Sequence, residues 1–241
     1  MKPKRITRIT VDALMLFIML LQMSYSIAGE LLHEILGISL FALFVLHHIL
    51  SFNFSRALVK SRKTPEKIMK TAVDILLTAD ILIMMFSAVV VSKHLFKFLG
   101  ITTLSDFGRT AHLLGSYWGF ALMCIHLGFH LDFLFHGVMK NKQKKKAFTA
   151  VMLLLAAAGL IIFIRDGIYK YMLLINRFVF FDTAGGLPLF LLKYALVAAM
   201  FTCAGYTASR AVKAAGRRNN EYDNYGNSRK LFTHYFSFLP L

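Results

Sequence analysis

The sequence predicts an all-α fold, an integral membrane bundle of about six transmembrane helices. Three observations predict it. Of 241 residues, 57% are hydrophobic and the mean hydropathy is +0.61, well above an ordinary soluble domain. Apolar runs of about the 20 residues that a bilayer requires recur along the chain. The basic residues fall between those runs in alternation, as in a multi-pass topology.

Taken in order, the expected spans are 10–27, 31–52, 69–91, 111–135, 148–164 and 187–208. The first follows the basic stretch MKPKR. It reads as a span instead of a secretory signal, because it is long for a signal core and its pattern recurs later. Lys and Arg number 4 at 2–8, 6 at 56–70, 5 at 140–146 and 6 at 210–230, out of 28 in the chain. The positive-inside rule then places both termini in the cytoplasm. The formal net charge of +16 is therefore a topology signal facing anionic membrane lipid, not a nucleic-acid footprint. Cys124 and Cys203 fall inside expected helices, so there is no disulfide framework and no C-x-x-C-H haem-attachment motif.

Two stretches resemble each other. VDALMLFIMLLQMSYSI from Val11 and VDILLTADILIMMFSAV from Val73 both open with Val-Asp, and each leads into a helix with paired histidines. In those helices His33, Phe41-Ala42-Leu43 and His47 align with His112, Phe120-Ala121-Leu122 and His126. Helices 1–2 and 3–4 therefore read as an internal repeat, with about 17 residues inserted in the second copy.

A spacing of 14 residues separates two side chains by about 21 Å along a helix and returns them to within about 40° of one face. His33 and His112 would share one depth at the outer side, and His47 and His126 another at the inner side. Facing imidazoles at one level are the geometry that clamps a haem iron from both axial sides. The expected cofactor is two haem b groups, ligated by His33, His47, His112 and His126. His48 and His130 are alternative inner ligands. Gly37, Gly115 and Gly119 are candidates for close approach to the macrocycles, and Arg109 and Arg56 for their propionates. Asp80 is an intramembrane carboxylate and hence a functional candidate. Asp12 and Asp74, at equivalent repeat positions, read as helix N-terminal residues favoured by the macrodipole.

HEILGISLFALFVLHHILSFNF and HLLGSYWGFALMCIHLGFH resemble the flavinylation-associated cytochromes, bacterial integral-membrane proteins similar in pattern to the cytochrome b subunits of formate dehydrogenases. The likeness covers about the first 136 residues. It implies a four-helix haem-binding core, axial ligands His33, His47, His112 and His126, and electron exchange with quinol or with a redox protein carrying covalent flavin. It also implies a bacterial cytoplasmic membrane. The expected division is a di-haem core at 1–136, two further spans with an outer-face, interfacial connection at 137–208, and a polar, mobile, basic cytoplasmic tail at 209–241.

Two other classes compete with this reading. Histidine also suits a divalent metal transporter, although transporter ligands converge near the midplane. A cofactor-free membrane anchor would use its histidines only to join helices. No Rossmann glycine pattern supplies a nicotinamide or flavin module, so the expected role is an electron-transfer subunit.

Overall fold

The computed structural model describes residues 3–60, 64–101, 104–135, 140–178 and 185–236. Among them the chain is helical, with no strand. The helices are α1 (Pro3–Gln22), α2 (Tyr25–Ala28), α3 (Glu30–Lys60), α4 (Pro65–Val91), α5 (Ser105–Leu134), α6 (Lys142–Arg165), α7 (Ile168–Met172) and α8 (Gly186–Phe236). A single 3-10 turn, Lys97–Leu99, lies between α4 and α5.

Local chemistry marks the boundaries. Thr64 caps α4, its hydroxyl accepting from the Lys67 N–H at 3.3 Å, with Pro65 in the first turn where a missing N–H costs nothing. Asn141 caps α6 by accepting from the Gln143 and Lys144 N–H groups. Gly29, at φ +83°, adopts the left-handed backbone that lets the chain leave α2 and enter α3.

Four helices are long and apolar enough to cross a membrane: Glu30–Phe52, Pro65–Val91, Lys142–Arg165 and Gly186–Gly216. The chain is therefore a multi-pass membrane protein. The sequence expectation of six spans included two more, matching α1 and α5, which stand outside this set. α1 carries Arg5, Arg8 and Asp12 within 20 residues, and α5 is diluted by His112, His126, His130 and its glycines.

Burial explains why α5 tolerates polarity. It packs along both α4 and α8, and Tyr117, Phe120, Ala121, Cys124, Phe129 and Leu131 are buried on it. A helix surrounded by protein does not meet lipid on every face. Gly128 and Gly205 let α5 and α8 approach: a Cβ at Gly128 would lie 2.2 Å from the Thr202 carbonyl oxygen, and one at Gly205 would lie 2.3 Å from that of Ile125. α6 lies along the other side of α8. α3 packs mainly on α1 and touches α4 only sparsely.

Three local expectations change. The first expected span is broken after Gln22, where Ser24 turns the chain and donates to the Leu21 carbonyl. The connection after Arg165 is not simply interfacial: Ile168, Tyr171 and Met172 of α7 are buried, and Trp118 Nε1 donates to the Met172 carbonyl at 2.9 Å. Its apolar side chains find protein partners on α5 and α8. The tail does not begin a separate segment at 209, because α8 continues to Phe236 through a stretch without proline.

Candidate functional site

The four principal histidines stand on two antiparallel hairpins, α1 with α3 and α4 with α5. A polar bond runs across each hairpin. In the first hairpin, His47 Nδ1 donates to Asp12 Oδ1 at 2.6 Å. In the second, His126 Nδ1 donates to Asp74 Oδ1 at 2.7 Å. Asp12 is the tenth residue of α1 and Asp74 the tenth of α4. Both lie too deep in their helices to act as N-terminal residues, and this corrects that expectation: each carboxylate instead holds a histidine of the following long helix.

At the other end, His33 and His112 meet across the hairpins, with ring centroids 6.0 Å apart and planes at 70°. The Gln22 side-chain amide accepts from the Gly37 N–H at 3.0 Å and donates to the His33 carbonyl at 3.0 Å and to His33 Nδ1 at 3.2 Å, so Nδ1 of this ring accepts. Ser87 Oγ donates to the Met84 carbonyl and lies 3.1 Å from His112 Nδ1, where it accepts. Tyr25 sets its ring edge-on to His33 at 5.2 Å.

The histidines thus stand in two tiers along α3 and α5: a first, where His33 meets His112, and a second about 21 Å further along the same helices, where His47 and His126 are each bonded to an aspartate of their own hairpin. Between their levels an apolar cluster of Val11, Met15 and Phe44, with Leu40, Ile81 and Met123 packed on it, joins α1, α3, α4 and α5. Second-tier side chains are partly exposed within the chain, at 30% for His47, 48% for Asp12, 27% for His126 and 42% for Asp74.

His48 Nδ1 donates to the Phe44 carbonyl of its own helix at 3.0 Å, while the His130 ring lies 4.8 Å from that of His126. Gly37 faces the Gln22 amide, 3.0 Å from where a Cβ would sit. Gly115 and Gly119 face α4: a Cβ would meet Met84 Sδ at 2.7 Å in the first case and Asp80 Oδ2 at 2.2 Å in the second. These glycines therefore make room for Gln22, Met84 and Asp80. Arg109 is exposed one turn before His112. The side chain of Arg56 lies outside the described residues.

Sequence reasoning missed Gln22 and Ser87, which are not repeat equivalents, and it missed Glu34. The Glu34 carboxylate accepts from Ser92 Oγ and from the Lys93, His94 and Leu95 N–H groups at 2.8–3.2 Å. It thereby ties α3 to the segment after α4. Glu30 beside it accepts from Lys93 Nζ and from Tyr25 at 3.0 Å. The bond to Glu30 holds the Lys93 ammonium above its ordinary pKa.

The inter-hairpin histidine distance, that of His33 and His112, matches the spacing of two imidazoles on one metal. Metal–nitrogen bonds of about 2 Å plus the ring radii place two axial imidazole centroids on the order of 6 Å apart, as His33 and His112 stand. In three of the four histidines Nδ1 is bonded to an acceptor, which leaves Nε2 as the free lone pair. Among the described residues no three His, Cys, Asp or Glu side chains converge on one point, so the arrangement is one of pairs. A separate cavity of about 330 Å³ opens between α6 and α8, lined by Lys145, Thr149, Tyr206, Thr207 and Arg210. Compared with protein-family models, curated proteins and solved structures, the chain matches none.

Proposed function

We propose that this chain is a b-type cytochrome that carries electrons across a membrane, with two haems ligated by His33 and His112 and by His47 and His126. The observation that supports the reading is the 6.0 Å meeting of His33 with His112, with His47 and His126 fourteen residues further along the same two helices and the Nδ1 side of each ring engaged by Gln22, Ser87, Asp12 or Asp74. Acceptors at Nδ1, as Asp12, Asp74 and Ser87 are, fix ring orientation and raise ligand basicity. Held through His33 and His112 and through His47 and His126, the haems would supply one-electron exchange.

The remaining residues serve that role. Asp12 and Asp74 select the tautomer with Nε2 unprotonated. The cluster around Phe44 and Met15 excludes water between the tiers and keeps the local dielectric low. In this reading α1 and α5 also cross the membrane, making six spans, with the basic segments cytoplasmic. The first tier then lies at the outer side of a bacterial cytoplasmic membrane. Quinol, or a redox protein carrying covalent flavin, is the partner class that the resemblance implies. A transporter would gather its ligands at one depth, whereas these pairs stand at two.

The test is a dithionite-reduced minus air-oxidised visible spectrum of the detergent-purified protein, with haem counted by pyridine haemochrome. The expected result is a b-type α-band with about two haems per chain, and about one in His33→Ala and in His126→Ala. A colourless protein from cells supplied with haem would overturn the reading.

A further inference from the structure

We infer that Asp12 and Asp74 make the second-tier site the lower in reduction potential and Gln22 and Ser87 leave the first-tier site the higher, an inference that rests on the haem-binding reading. The two tiers use the same imidazole ligands, but what lies behind them differs. At the second tier both Nδ1–H groups donate to carboxylates, at 2.6 and 2.7 Å. At the first tier the partners are an amide and a hydroxyl, both neutral, at 3.2 and 3.1 Å.

A carboxylate accepting from Nδ1–H draws the proton away from the ring and leaves Nε2 a stronger electron donor. A stronger donor favours the more positive iron, so the oxidised state is stabilised and the potential falls. The charge of the carboxylate acts in the same direction.

Neighbouring charges do not cancel this asymmetry. Near the second tier, Lys70 is paired with Glu66 at 2.9 Å and donates to the Phe129 carbonyl at 3.3 Å, and Arg8 donates to the Leu50 carbonyl. Near the first tier, Glu34 is bound by three backbone N–H groups and Ser92, and Glu30 is paired with Lys93 and flanked by His94. The Asp80 carboxylate faces Gly115 and Gly119 of α5, about one to two turns from His112, and works against the asymmetry only through space, whereas Asp12 and Asp74 are bonded directly to the second-tier rings. A chain holding one electron would therefore keep it at the first tier, and the downhill direction runs from the His47 and His126 end to the His33 and His112 end.

The experiment is an optical redox titration of the purified holoprotein. Wild type should titrate in two steps, with His33→Ala retaining the lower midpoint and His126→Ala the higher. Asp12→Asn and Asp74→Asn, which keep an acceptor and lose the charge, should each raise the lower midpoint and narrow the separation. Asp12→Glu and Asp74→Glu should keep it low, which covers the case in which the Asn variants lose haem. A lower midpoint that belongs to the first tier, coincident midpoints, or Asn variants that retain haem without a shift would overturn the inference while leaving the cytochrome reading intact. Absence of haem by pyridine haemochrome would overturn both.

Discussion

Gly128→Ala tests the packing that holds the paired hairpins against the rest of the bundle. The added Cβ would stand 2.2 Å from the Thr202 carbonyl oxygen and 2.8 Å from the Tyr206 nitrogen. Both are backbone atoms and cannot turn aside as a side chain would. Ordinary contact begins near 3.4 Å, so α8 must move away by roughly 1 Å, and small-residue packing of this kind is what drives helix association where lipid is as apolar as the interface. Overpacking of this size costs about 1–3 kcal/mol, or roughly 2–12 °C in midpoint for a chain of this length. Cys124, fully buried on α5, and Cys203, 7% exposed on α8, are both free thiols and report the separation. Maleimide labelling in detergent during a temperature ramp should begin several degrees lower in Gly128→Ala than in wild type. Gly205→Ala should behave alike, and the double variant should cost less than the sum, since one separation relieves both contacts. Labelling of Gly128→Ala at the wild-type temperature would refute the close approach.

On the proposed haem-binding reading, Asp74→Ala should loosen the His126 ring and lower haem affinity at that tier by about 10–100-fold, measured as haem per chain after dilution against apomyoglobin. Glu34→Ala leaves the Lys93, His94 and Leu95 N–H groups without their acceptor and removes charge-assisted bonds worth about 1.5–3 kcal/mol each; trypsin should then cleave at Lys93 or Lys97 faster than in wild type. Because Lys93 is held above its ordinary pKa by Glu30, its ammonium stays charged through neutral pH and the tie is lost only as pH rises through that raised value. Acylation of Lys93 at mildly alkaline pH should accordingly be faster in Glu30→Gln than in wild type, and equal rates would remove the pairing from the account.

Much of the candidate site was legible in the chain because helical geometry is local. The 14-residue spacing of His33 with His47 and of His112 with His126 needs only the rise and twist of a helix. The matching Val-Asp openings signalled two equivalent hairpins. What those aspartates do was not legible: a carboxylate near the start of an apolar run reads as a macrodipole residue until the hairpin closes and brings it beside a histidine. Gln22 and Ser87 gave no signal either, because they occupy different repeat positions and become equivalent only through what they touch. Gly115 and Gly119 read as room for a macrocycle, and in the fold the groups that face them are Met84 and Asp80.

The sequence by itself determined that the chain is helical, that several helices suit a membrane, and that histidines line two of them at matched intervals. These follow from composition and period, which are properties of each segment alone. The tertiary structure decided the pairing of His47 with Asp12 across 35 residues and of His126 with Asp74 across 52. It also decided the 6.0 Å meeting of His33 with His112 and the place of α5 at the centre of the bundle. Such contacts depend on the register of one helix against another, and that register is set by the summed packing of side chains far apart in the chain.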